Sequence, residues 1–109
     1  MLESILGSIS CERVLIFLAA RDEGYAREIA TFYMSSLAPV QKQLDKLEAG
    51  GVLVSRTAGR TRLYVFNPRY PFLAELKTLL TKALSFYDQD LQSRLLLDRR
   101  RPRRRAKPL

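Results

Sequence analysis

The stretch from Tyr25 to Asn67 limits the fold most, because two helical patterns, a tight turn and an alternating apolar hairpin follow one another almost without spacers. Ile29, Ala30 and Tyr33 form one apolar set, and Val40, Leu44 and Leu47 form another at i, i+4 and i+7, one face of a helix. Met34-Ser35-Ser36 between them leaves room only for a turn. Ser36 is placed to cap the second helix, which the pattern predicts from about Leu37 to Ala49 and which Gly50-Gly51 ends. Val52 to Thr57 and Thr61 to Phe66 are β-branched and aromatic runs on either side of Ala58-Gly59-Arg60, the pattern of a hairpin bending at Gly59. Alternation assigns Val52, Val54, Leu63 and Val65 to the inward side of that ribbon.

The flanks are helical. Leu2, Ile5, Leu6 and Ile9 share one face. Gly7-Ser8 predicts a break, after which Val14, Leu15, Phe17 and Leu18 line a longer helix closed by turn chemistry at Arg21-Asp22-Glu23-Gly24. Asn67-Pro68 and Pro71 end the hairpin. Phe72, Leu76, Leu79, Ala83 and Phe86 then form one stripe and Leu73, Leu80, Leu84, Tyr87 and Leu91 the next, predicting a single long helix from Phe72 to about Leu97. So wide a stripe exceeds what a core of three short helices and a hairpin needs. It predicts a homodimer through Leu73, Leu80, Leu84, Tyr87 and Leu91, the other reading being that the helix only covers the chain's own first helix.

Charge is unevenly placed. Of 19 basic residues, seven lie between Arg99 and Lys107, in a segment with two prolines and no helical period, expected to be a disordered basic tail over residues 99–109. The body, residues 1–98, is expected to be one domain and is nearly neutral. Within it, residues 42–69 hold six basic and two acidic side chains against three and five in residues 1–41, so positive charge gathers on the second helix and the hairpin. Such a patch attracts a polyanion through phosphate neutralisation and counterion release.

Other classes find little support. With one cysteine, Cys11, and no histidine, a thiolate or imidazole metal site lacks ligands, and no disulfide framework is available. No nucleophile has a partner and no glycine loop suits a phosphate, so neither an enzyme nor a cofactor is expected. The longest apolar run, Val14 to Ala20, is too short to span a bilayer, and the protein is expected to be cytoplasmic.

Glu28-Ile29-Ala30, Val40, Leu44 to Glu48, Gly51-Val52-Leu53, Gly59-Arg60, Arg62-Leu63-Tyr64 and Asn67-Pro68 resemble, in order and spacing, the winged helix-turn-helix of bacterial transcription regulators of the ArsR and MarR type. Met34 departs from the turn glycine usual there. Pro39 falls in the first turn of the second helix, where proline is tolerated. The resemblance implies a mainly α fold with a small β-hairpin (α+β), a winged helix-turn-helix followed by a long C-terminal helix. It implies double-stranded DNA as the partner, with the second helix in the major groove and the hairpin as a wing on the backbone.

A 100° step per residue turns Ala38, Lys42, Asp45 and Ala49 outward, flanked by Gln41 and Lys46. With Ser36 at the cap, these residues are the candidate base-reading set. Arg56, Thr57, Arg60, Thr61 and Arg62 are the candidate wing contacts. A winged-fold module that binds a protein, such as a nucleotidyltransferase partner, and a structured-RNA binder both remain compatible with these residues.

Overall fold

The computed structural model describes residues 1–96; the end of the expected C-terminal helix and the whole basic tail lie outside the described residues. The elements run α1 (Glu3–Leu6), α2 (Ile9–Arg21), β1 (Glu23–Tyr25), α3 (Ala26–Phe32), α4 (Leu37–Ala49), β2 (Leu53–Ala58), β3 (Thr61–Phe66) and α5 (Leu73–Ser85). A sixth helix, α6, occupies residues 89–96 at the edge of the described chain.

α2 is the hub. Gly7, at φ 102°, ends α1, and the Ser8 hydroxyl then accepts the Cys11 amide to start α2. The predicted break is therefore present. The faces assigned to it need correction: Ile5 and Ile9 are exposed, whereas Val14 through Leu18 are all buried, Ile16 included. α2 has no solvated side along these residues because α4 and α5 both pack on it.

The helix pair and the hairpin follow the expected boundaries. Met34 turns the chain between α3 and α4 at φ 55°, a left-handed conformation that costs an L-residue roughly 1–2 kcal/mol. Ser36 occupies the cap position of α4 without a side-chain cap bond. At the far end Gly51, at φ 82°, lets Val52 donate to the Leu47 carbonyl, and Asn67 Nδ2 donates to the Gly51 carbonyl, tying the base of the hairpin to the end of the helix.

The sheet has three strands rather than two, in the order β1-β3-β2, all antiparallel. Glu23-Gly24-Tyr25, expected as a turn, pairs with Leu63 to Val65. Glycine is required at its centre, since a Cβ on Gly24 would stand 2.9 Å from the Phe17 ring. Gly59, at φ 66°, takes the first central position of the β2–β3 turn, where a type II′ bend needs glycine. The inward set is also different: Leu53, Leu63, Tyr64 and Phe66 are buried, while Val54 is exposed.

The expected single C-terminal helix is two. α5 stops at Ser85, and after Phe86 and Tyr87 the Asp88 carboxylate accepts the Leu91 amide, opening α6. This break redirects the stripe assigned to a second chain. Leu80 is fully enclosed, and Leu73, Leu84, Tyr87 and Leu91 pack against the chain's own core. Left exposed from the neighbouring stripe are Phe72 and Phe86. The Tyr87 hydroxyl donates to Glu12, a buried carboxylate that also accepts the Leu2 amide. Arg21, buried at the end of α2, donates to the carbonyls of Arg94 and Leu95 and lies over the rings of Phe17 and Phe32. These contacts hold α6 on the body.

Candidate nucleic-acid interface

α4 is amphipathic in the expected sense: Val40, Gln43 and Leu44 are buried, while Ala38, Lys42, Asp45, Lys46 and Ala49 are exposed. One candidate reader is committed elsewhere. Gln41 is half-buried, and its Nε2 donates both to Asp45 Oδ1 at 3.0 Å and to the Tyr64 hydroxyl at 3.1 Å. An amide nitrogen has two protons to give, so the bidentate adenine pair expected of Gln41 requires breaking one of these bonds. Asp45 is drawn into the same network. Lys42 and Lys46 are exposed.

The wing separates its arginines by strand register. Ser55 faces Tyr64 and Thr57 faces Arg62 across the ladder, on the side of the sheet carrying buried Leu53, Tyr64 and Phe66. Arg56 pairs with Leu63 on the opposite side. Arg62 therefore sits on the face directed toward α4, and its guanidinium donates to the Ser55 hydroxyl, which donates in turn to Glu48 on α4. Arg60 projects at the turn. Thr61 is less available than expected, since its hydroxyl donates to the Ala58 carbonyl. The chain Arg62–Ser55–Glu48 and the Gln41–Tyr64 bond join wing to helix at two levels.

Between them lies a cleft of about 400 Å³ lined by residues of α3, α4 and β3, among them Arg27, Leu37, Gln41, Arg60 and Arg62. Its charged lining mixes the cations Arg27, Arg60 and Arg62 with the carboxylates Asp45 and Glu48. Of the candidate residues, Gln41, Asp45, Arg60, Thr61 and Arg62 are brought together at this cleft; Ser36, Ala38, Lys42 and Lys46 are exposed but do not line it, Thr57 shares the sheet face of Arg62, and Arg56 lies on the opposite face.

Three positions lie outside the contact set expected from sequence. Tyr64 and Glu48 carry the wing-to-helix bonds, and only the fold brings them to Gln41 and Ser55. Arg27 lies in the first turn of α3, and its place at the cleft follows from α3 crossing the start of α4.

Cys11 is buried, and that burial pushes its thiol pKa up, the behaviour of a packing residue rather than a reactive thiolate. Among the described residues there is no cluster of three or more metal-ligating side chains, and no helix is long and apolar enough to cross a membrane.

No protein-family model and no curated protein matches the sequence. Solved structures do. Reduced HlyU from Vibrio cholerae superposes with a TM-score of 0.62 at 18% identity, over 81% of this chain and 86% of its own. The apo form of a ZitR mutant from Lactococcus lactis gives 0.54 at 28% identity, over 79% and 67%. The adhesin competence repressor AdcR from Streptococcus pyogenes gives 0.56 at 18% identity, over 84% and 72%. With its α3-turn-α4 unit, its β2–β3 wing and these structural neighbours, the chain has the winged helix-turn-helix fold.

Proposed function

We propose that the protein is a dimeric, sequence-specific regulator of transcription that binds duplex DNA, with α4 in the major groove and the β2–β3 wing on the adjoining backbone. One observation carries the reading: Arg27 of α3 and exposed Arg60 and Arg62 of the wing line one cleft beside α4, which carries exposed Lys42 and Lys46 on its outer face, and hydrogen bonds tie helix to wing. Cations so arranged follow a phosphate backbone on either side of a groove. The AdcR neighbour is described as a repressor, which agrees with this role.

The dimer uses the side of α5 left uncovered. Phe86 is 68% exposed beside Leu79, and these residues with Met1 and Leu2 line an apolar cleft of about 410 Å³. Apolar surface of this kind suits a second copy. Changing Phe86 to Glu should shift the sedimenting species from twice the chain mass toward the monomer.

The deciding experiment is recovery of bound sequences from a random duplex pool by the full chain, followed by a salt series. An enriched inverted repeat with affinity falling steeply as salt rises is the expected result, and enrichment of nothing would end the proposal. Removing residues 99–109 from the same protein takes away seven positive charges; if all seven meet phosphates, the magnitude of the salt slope falls by about six units. An unchanged slope would mean that the tail does not touch DNA.

A further inference from the structure

The first turn of α4 is apolar on its solvent side. Leu37 is 39% exposed, and Ala38 and Pro39 beside it are exposed as well. Leu37 also lines the cleft between helix and wing with Gln41, Arg60 and Arg62. In docked helix-turn-helix proteins the N-terminal residues of the second helix are the ones that approach base edges. Here Leu37, Ala38 and Pro39 offer apolar groups, and the hydroxyl beside them is that of Ser36 at the cap. The next polar residue on the same face, Gln41, already gives both amide protons to Asp45 and Tyr64. The major groove offers one apolar group, the 5-methyl of thymine.

We infer, resting on the DNA-binding function proposed above, that Leu37 and Ala38 determine specificity by packing against thymine methyl groups, while Lys42, Arg60 and Arg62 hold phosphates without regard to sequence. The charge beside the apolar turn selects this occupant: Arg27 of α3 and Arg60 and Arg62 of the wing line the cleft that Leu37 shares, and together they complement a phosphate backbone better than an apolar protein surface. Each half-site then carries thymine at one or two steps opposite the start of α4. Because the recognised group is the methyl itself, the same duplex with uracil in place of thymine loses the contact while keeping its base pairing.

The test uses the full chain and the duplex recovered from the random pool, with each thymine replaced in turn by uracil. Affinity should fall about fourfold, the worth of one buried methyl group, at one or two positions in each half-site and stay level elsewhere. Leu37→Ala should flatten the thymine–uracil difference at one of those positions and leave the salt slope unchanged, and Ala38→Gly should do so at the other. A duplex bound tightly yet indifferent to uracil at every position would overturn the inference while leaving DNA binding intact. So would uracil sensitivity that persists in both variants, since the methyl would then be sensed elsewhere. If no duplex is retained from the pool, DNA binding itself fails and this inference falls with it. The uracil series uses the unaltered protein, so its outcome does not depend on how either variant folds.

Discussion

α2 and α4 have the same length, 13 residues each, and meet opposite fates. Nine residues of α2 are buried, among them a glutamate and an arginine, whereas α4 buries three. A helix enclosed on all sides must satisfy its charges inside the protein, and α2 does so through Tyr87 and the Leu2 amide at Glu12 and through backbone carbonyls at Arg21. A helix packed along one stripe leaves the rest of its circumference for a ligand. On the DNA-binding function proposed above, the contrast teaches that cohesion and contact fall to different helices and can be perturbed separately.

The largest expected effect is on the enclosed helix. Phe17→Ala removes a fully buried ring that packs edge-on against Phe32, and should lower the unfolding free energy by about 3–5 kcal/mol, read from the shift of a denaturant midpoint. A loss below about 1 kcal/mol would break the comparison at its stronger end.

Tyr33 sharpens it from the edge of the same core. Its hydroxyl is buried with no hydrogen-bond partner among the described residues, so Tyr33→Phe should raise stability by about 1–2 kcal/mol. Burial first of all holds its phenol pKa well above the ordinary range. The folded chain therefore keeps this proton when the unfolded chain, with a phenol pKa of about 10, releases it. The contribution is complete below about pH 10 and declines as pH rises past it. The alkaline limb of a stability–pH curve should be shallower in Tyr33→Phe, with Tyr87, shifted upward for the same first reason, supplying much of what remains.

Between the two helices stands Met34, almost fully exposed in a left-handed turn. Met34→Gly relieves the strain and gives back part of the gain as unfolded-state entropy, leaving roughly 0.5–1 kcal/mol of added stability in a thermal melt. A loss would mean that the exposed side chain makes a contact worth more than the strain.

The smallest stability effect belongs to the contact helix. Lys42→Ala and Lys46→Ala should each change stability by less than about 0.5 kcal/mol, yet each should reduce the DNA salt slope by about 0.9 if the ammonium neutralises one phosphate. A slope that does not move would place α4 off the backbone.

What could be read from sequence followed the range of the interactions involved. The boundaries of α3, α4 and the wing rest on local signals: the spacing of Val40 and Leu44, Gly50-Gly51, and Gly59 between β-branched runs. Those signals act within a few residues and survive in any context. β1 was missed because three residues around Gly24 have no pattern of their own and become a strand only when β3 lies alongside. The break between α5 and α6 had a signal, Asp88 three residues before Leu91, overridden by a continuous apolar stripe. At the interface, the list of exposed cations was legible, but the engagement of Gln41 by Tyr64 was not, since those residues are 23 apart and meet only through the sheet.

The bonds from Arg21 to residues 94 and 95, and from Glu12 to Tyr87, join positions 73 to 75 apart in the chain. α2 therefore cannot complete its surroundings until most of the protein has been made. At ribosomal rates of about 5–20 residues per second, a span of 74 residues keeps its apolar surface waiting for roughly 4–15 s, far longer than a helix takes to form. On this estimate the first long helix carries exposed apolar surface through most of synthesis and is fully covered only when α6 arrives.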